Sequence, residues 1–126
     1  MTGTARVRNG FGFMRKSLLL MLLLVACSKG PEADLPYIGE ARSLGAEWAL
    51  VNEQAAEGKV TGTYVRTMRT DIREQIQTAA SSLTRPDARY GLEIRALLAQ
   101  PDDAAPGELR AHVDKLRQIE DGLESA

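Results

Sequence analysis

Residues 36–57 and 61–83 carry two apolar stripes that mirror each other about a short break, and this symmetry constrains the fold more than any other feature of the chain. On one side Ile38, Ala41, Leu44, Trp48, Val51 and Ala55 recur at steps of three and four. On the other, Val65, Met68, Ile72, Ile76, Ala79 and Leu83 do the same. That spacing places each set on one face of an α-helix. Gly58 ends the first helix, and Thr61 supplies a hydroxyl that caps the second. A connection this short forces an antiparallel hairpin. Folding about it pairs positions summing to about 120: Ala55 with Val65, Val51 with Met68, Trp48 with Ile72, Leu44 with Ile76 and Ala41 with Ala79. The same register brings Glu53 toward Arg66 and Glu47 toward Arg73, so the flanking charges are expected to complement each other as well.

The five prolines, Pro31, Pro36, Pro86, Pro101 and Pro106, all fall where a helix begins or has ended, and they divide the chain into four helices. The first is expected over Pro36 to Glu57, with Asp34 as a candidate cap. The third begins near Pro86-Asp87, carries Tyr90, Ile94, Leu97 and Leu98, and stops at Pro101-Asp102-Asp103. The fourth opens at Pro106 with Glu108 in its first turn and continues through Leu109, Val113, Leu116, Ile119 and Leu123. Positions summing to about 207 pair Leu98 with Leu109 and Ile94 with Val113, which makes a second hairpin. The expected fold is all-α, a small four-helix bundle built from two antiparallel hairpins over residues 36–125. No alternating stretch signals a strand, and no internal repeat is evident.

Upstream lies a different kind of segment. Arg15 and Lys16 precede an apolar run from Leu18 to Ala26, the charged and hydrophobic regions of an export signal. Nine apolar residues are too few for a bilayer span, which needs roughly 20. The polar sequence Ser28-Lys29-Gly30-Pro31-Glu32 follows at once. Cleavage before Cys27 by an ordinary secretory peptidase would place Leu24 where a small residue is wanted. The sequence Leu24-Val25-Ala26-Cys27 instead resembles the lipobox of bacterial lipoproteins. That resemblance implies cleavage between Ala26 and Cys27, a diacylglyceryl group on the Cys27 thiol and acylation of the new amino terminus. A single acyl chain binds membranes reversibly, whereas two or three anchor stably. In the lipoproteins it resembles, Asp after the cysteine favours inner-membrane retention. Here Ser28 follows, which implies the outer membrane, facing the periplasm, over the inner. Either Arg6 and Arg8 extend the charged region, or translation starts at Met14; the compact signal that begins at Met14 favours the second.

The expected organisation is a signal peptide over 1–26, a polar tether over 27–35 and the helical domain over 36–125. Removal of the leader takes four of the 16 basic residues and none of the 17 acidic ones, leaving 12 against 17 and a net charge of −5. That balance argues against nucleic acid or an anionic lipid surface as a partner. Cys27 is the single cysteine, so neither a disulfide nor a thiolate metal site is expected. Leu, Ile and Val number only nineteen in residues 27–126. A core this thin implies low stability, or burial against an envelope protein or a second copy.

No residue pattern carries recognisable catalytic chemistry, and no cofactor is expected. His112 is the single histidine, with Glu108 one turn before it. Two ligands on one helix do not make a metal site, so the pair reads as a solvated helical contact. Asp102-Asp103 reads as a turn and a helix start rather than a cation site. Ser81-Ser82, Thr67 and Thr70 have no base arranged about them, and neither a Gly-x-Ser-x-Gly nor a phosphate loop is present. Arg66, Arg69 and Arg73 recur along the second helix as a salt-bridged seam or, alternatively, an anion-binding stripe. Trp48 reads as core, with an interface anchor as the functional alternative. Tyr37, Tyr64 and Tyr90 sit near helix starts, where a ring can pack while its hydroxyl stays wet.

The function expected is therefore that of a lipid-anchored, non-catalytic accessory or interaction module of the cell envelope, with Trp48, Arg66, Arg69 and Arg73 as candidate interaction residues. Its alternatives are a ligand- or metal-sensing envelope-stress domain, which needs a cavity lined by Trp48 and the tyrosines or cation stabilisation at Asp102, Asp103 or His112, and a small hydrolase, which needs a buried cleft with a perturbed carboxylate.

Overall fold

The computed structural model describes residues 30–126; the leader, Ala26, Cys27 and Ser28 lie outside the described residues. A 3-10 turn, Pro31–Asp34, leads into four helices: α1 Leu35–Ala56, α2 Gly62–Ser81, α3 Arg89–Leu98 and α4 Pro106–Glu124. There is no strand among the described residues, and the helices pack as a small four-helix bundle.

Local sequence sets the ends of these helices. Pro36 and Pro106 occupy first-turn positions, where a missing N–H costs nothing. Thr61 caps α2, its hydroxyl accepting from the Tyr64 N–H at 3.2 Å. After α1 the chain turns through Gly58 at φ +69°. The Gly58 N–H donates to the Ala55 carbonyl and the Lys59 N–H to the Gln54 carbonyl. These two bonds form the Schellman arrangement that satisfies the helix's last carbonyls.

The first hairpin has the register its apolar stripes predict. Arg69 bonds to Asn52 and the Arg73 guanidinium lies over the Trp48 ring, and both pairs sum to 121. The second hairpin is close to its expected register too, since His112 meets Glu93, a pair summing to 205. α1 is the central element, with its most extensive interfaces to α4 and α2. α4 runs antiparallel to it, so that Arg42 reaches Glu120 at one end and Glu53 pairs with Arg110 toward the other. Trp48, Ile38, Ile72, Ile76, Ile94, Leu97, Leu109 and Leu116 are fully buried between the helices. Each such side chain contributes about 2 kcal/mol of hydrophobic stabilisation before ordering costs.

Two expected boundaries move. The packed structure begins at Pro31 rather than Pro36, so the chain between Cys27 and the bundle is shorter than the tether expected over 27–35. Asp34 is completely buried. α3 begins at Arg89, not near Pro86-Asp87, because Arg85 to Ala88 first forms a turn closed by the Ala88 N–H on the Arg85 carbonyl at 3.1 Å. Gly91 makes that turn possible: a Cβ there would stand 2.1 Å from the Pro86 carbonyl oxygen.

Candidate functional site

The antiparallel arrangement divides the polar chemistry of the bundle between its two ends. One end gathers the 3-10 turn, the α2–α3 connection and the C-terminal turns of α4. The other holds the α1–α2 and α3–α4 connections.

At the first end, the Asp34 carboxylate ties the start of the domain to the α2–α3 connection. It accepts from the Thr84 N–H at 2.8 Å, the Thr84 hydroxyl at 3.0 Å, the Arg85 N–H at 3.1 Å and the Tyr90 hydroxyl at 2.5 Å. The expected cap on α1 does not form, because these four donors occupy both carboxylate oxygens. Burial alone raises the Asp34 pKa. The hydrogen bonds from Thr84, Tyr90 and Arg85 outweigh it and hold the carboxyl below its ordinary value. The same contact works oppositely on Tyr90, whose pKa is pushed up to about 12 by burial, by its bond to Asp34 and by that residue's charge, with Arg85 opposing.

Beside this clasp, between the start of α3 and the last turns of α4, lies a shallow groove of about 380 Å³. Ala88, Ile119 and Leu123 give it an apolar lining, and Arg85 and Arg89 flank it.

At the opposite end, α1 and α2 hold the α3–α4 connection by its carbonyls. Trp48 Nε1 and Asn52 Nδ2 both donate to the Asp102 carbonyl at 3.0 Å, and Asn52 also donates to the Ala104 carbonyl at 2.8 Å. Asn52 Oδ1 accepts from Arg69 Nε at 2.9 Å. Arg73 donates to the carbonyls of Leu98 and Gln100, both at 2.8 Å, while its guanidinium stacks 4.9 Å from the centre of the Trp48 ring. The Leu98 carbonyl belongs to the last turn of α3, whose acceptors lack helical partners, so Arg73 satisfies and charge-complements a helix C-terminus.

This arrangement corrects the expected salt-bridged seam. Glu53 pairs with Arg110 on α4 rather than with Arg66, and Arg73 binds loop carbonyls and Asp102 rather than Glu47. The reason is geometric. Arg69 turns to Asn52 on α1 and Arg73 to the covering 99–105 connection, while Glu53 lies on the α4 flank of α1. Arg66 is exposed in the first turns of α2. The three arginines thus do not act as one stripe. Trp48 is fully buried and presents no surface to a partner. Cys27 and Ala26 lie outside the described residues.

His112 faces Glu93 on α3, Nδ1 to Oε1 at 2.6 Å, rather than Glu108 on its own helix. Ser81 and Ser82 donate to the carbonyls of Gln77 and Thr78 within α2. Among the described residues there is no group of three or more His, Cys, Asp or Glu able to hold a metal ion, and no helix long and apolar enough to cross a membrane.

Sequence reasoning missed Asn52 and misassigned Asp34. Asn52 did leave a trace: it stands four residues after Trp48, on the buried face of α1, where a polar side chain requires partners. Asp34 left none, since an acid directly before a helix is what an ordinary cap looks like. No protein-family model, curated protein or solved structure matches the chain.

Proposed function

We propose that this chain is a lipid-anchored helical module of the bacterial cell envelope, attached through Cys27, facing the periplasm from the outer membrane and acting as a non-catalytic accessory or interaction subunit. The observation that carries this reading is the apolar run Leu18–Ala26 ending in Leu24-Val25-Ala26-Cys27, with the folded domain starting only a few residues later.

The interior chemistry supports a structural rather than catalytic role. The two buried polar residues among the described residues are Asp34 and Asn52. Both are engaged by groups of the connections and of the neighbouring helices, and no buried side-chain polar atom among the described residues lacks a partner. A nucleophile or base held ready for substrate would instead retain free hydrogen-bonding capacity in a cleft. The sensing alternative finds no comparable support, since Trp48 is packed in the core, His112 engages Glu93 and Asp102 faces Arg73.

The test is the intact mass and amino-terminal sequence of the mature protein from bacterial envelopes. A chain beginning at Cys27 and carrying two or three acyl groups is expected. An unmodified Cys27, or a mature terminus elsewhere, would overturn the reading.

A further inference from the structure

We infer that residues 30–34 form a strap, latched by Asp34, that opens together with the α2–α3 connection while the rest of the bundle stays folded, and that its opening lengthens the link between Cys27 and the bundle. The role in reach rests on the lipid-anchor reading above. The strap itself does not.

The first observation is that one side chain holds the strap down. Within it the Ala33 N–H donates to the Gly30 carbonyl at 3.0 Å and the Leu35 N–H to the Glu32 carbonyl, and neither bond reaches another element. Glu32 is exposed and Ala33 and Leu35 are half-buried, whereas Asp34 is completely buried. Among the described residues, the hydrogen bonds that join the strap to the α2–α3 connection and to α3 all end on the Asp34 carboxylate.

The second is that the latch opens at low cost. Thr84 and Arg85 supply three of the four bonds and are exposed, so water takes the place of Asp34 on those donors while the carboxylate regains its hydration. Tyr90, itself buried, supplies the fourth. Parting α1 from α2 would instead expose Trp48, Ile72 and Ile76, all fully buried. A segment with few buried apolar contacts opens well below the free energy of global unfolding.

The third is what opening does to the chain. With the strap closed, three residue steps separate Gly30 from Cys27, a reach of at most about 11 Å. With it open, eight steps separate Leu35 from Cys27, a reach of at most about 29 Å. The sequence Gly30-Pro31-Glu32-Ala33-Asp34 suits both states, since its composition is that of a polar tether and one carboxylate fixes it to the fold.

The experiment is hydrogen exchange, read residue by residue by NMR, on the full lipidated protein in detergent micelles. The amides of Ala33, Leu35, Thr84 and Arg85 should exchange at one common protection level, about tenfold or more below that of Ile76 and Val113 in the core. Tyr90→Phe removes one bond of the latch and should speed all four about tenfold. Arg73→Ala, at the opposite end, should speed Ile76 and Val113 and leave the four unchanged, because a local opening does not respond to a distant loss of global stability. Strap amides as protected as the core, or speeded by Arg73→Ala to the same degree, would show that the strap opens only with the whole domain and overturn the inference. A response of Thr84 and Arg85 to Tyr90→Phe without Ala33 and Leu35 would overturn the single unit. Strap amides that behave as expected in a protein that does not stay on phosphatidylcholine vesicles would overturn the anchor reading, and with it the role in reach.

Discussion

Tyr90 donates its hydroxyl to the Asp34 carboxylate at 2.5 Å across 56 positions of sequence, joining the entry of the domain to the first turn of α3. Thr84 and Arg85 complete the set of donors, so one carboxylate fixes how the two hairpins meet at this end of the bundle. Asp34→Ala leaves those donors without their acceptor and should cost about 3 kcal/mol, whereas Tyr90→Phe removes a single charge-assisted bond and should cost about 1.5 kcal/mol. Urea unfolding of residues 28–126 measures both, and a Tyr90→Phe cost equal to that of Asp34→Ala would contradict the shared role.

The clasp also gives stability a pH dependence at both extremes. Asp34 has a folded pKa below the ordinary carboxyl value of 3.8. Its contribution is therefore fully present above the unfolded pKa and is lost as pH falls toward and through the folded value. Tyr90 has a folded pKa raised from 10.0 to about 12. Its contribution is present below 10 and declines as pH rises from there through about 12, a loss of roughly 2–3 kcal/mol in all. Asp34→Asn should flatten the acid limb of a stability profile, and Tyr90→Phe the alkaline limb. Unaltered limbs in these variants would count against the geometry.

Arg73 and Arg66 lie on one helix and should behave differently. Arg73→Ala removes two bonds to the α3 terminus together with the stacking on Trp48, at a cost of about 2–3 kcal/mol. Arg73→Lys should recover little of it, because an ammonium cannot present two parallel donors to the Leu98 and Gln100 carbonyls. Arg66→Ala should change stability by less than about 0.5 kcal/mol. Thermal denaturation of the three variants decides the point.

Gly91→Ala would drive a methyl group into the Pro86 carbonyl and should destabilise by about 2–3 kcal/mol. A Cβ added at Gly107 would meet nothing within 4 Å, so Gly107→Ala should be neutral to slightly stabilising, by at most about 1 kcal/mol. Comparable denaturation midpoints for the two alanine variants would show that the 85–88 turn yields freely.

What could be read from sequence followed the length of the pattern. Trp48 opposite Ile72 was legible because the stripes of α1 and α2 each run for several turns, and the register survives in the Arg69–Asn52 bond. The start of α3 was less so, since Pro86-Asp87 looks like a helix opening and only the backbone approach at Gly91 shows that a turn intervenes. Asp34 was illegible in its true role because its donors lie 50 to 56 residues away. The charge pairs failed for a related reason. Complementary signs on adjacent helices could not reveal that the 99–105 connection crosses the seam and offers Arg73 better acceptors.

The proposed attachment of this domain through Cys27 is tested most directly by fractionating cells that express the full chain with Cys27 intact or as Cys27→Ala. The wild-type protein should be shortened to begin at Cys27 and recovered with membranes. The variant should keep its leader and lose acylation. A Cys27→Ala protein processed and membrane-bound like the wild type would contradict the account.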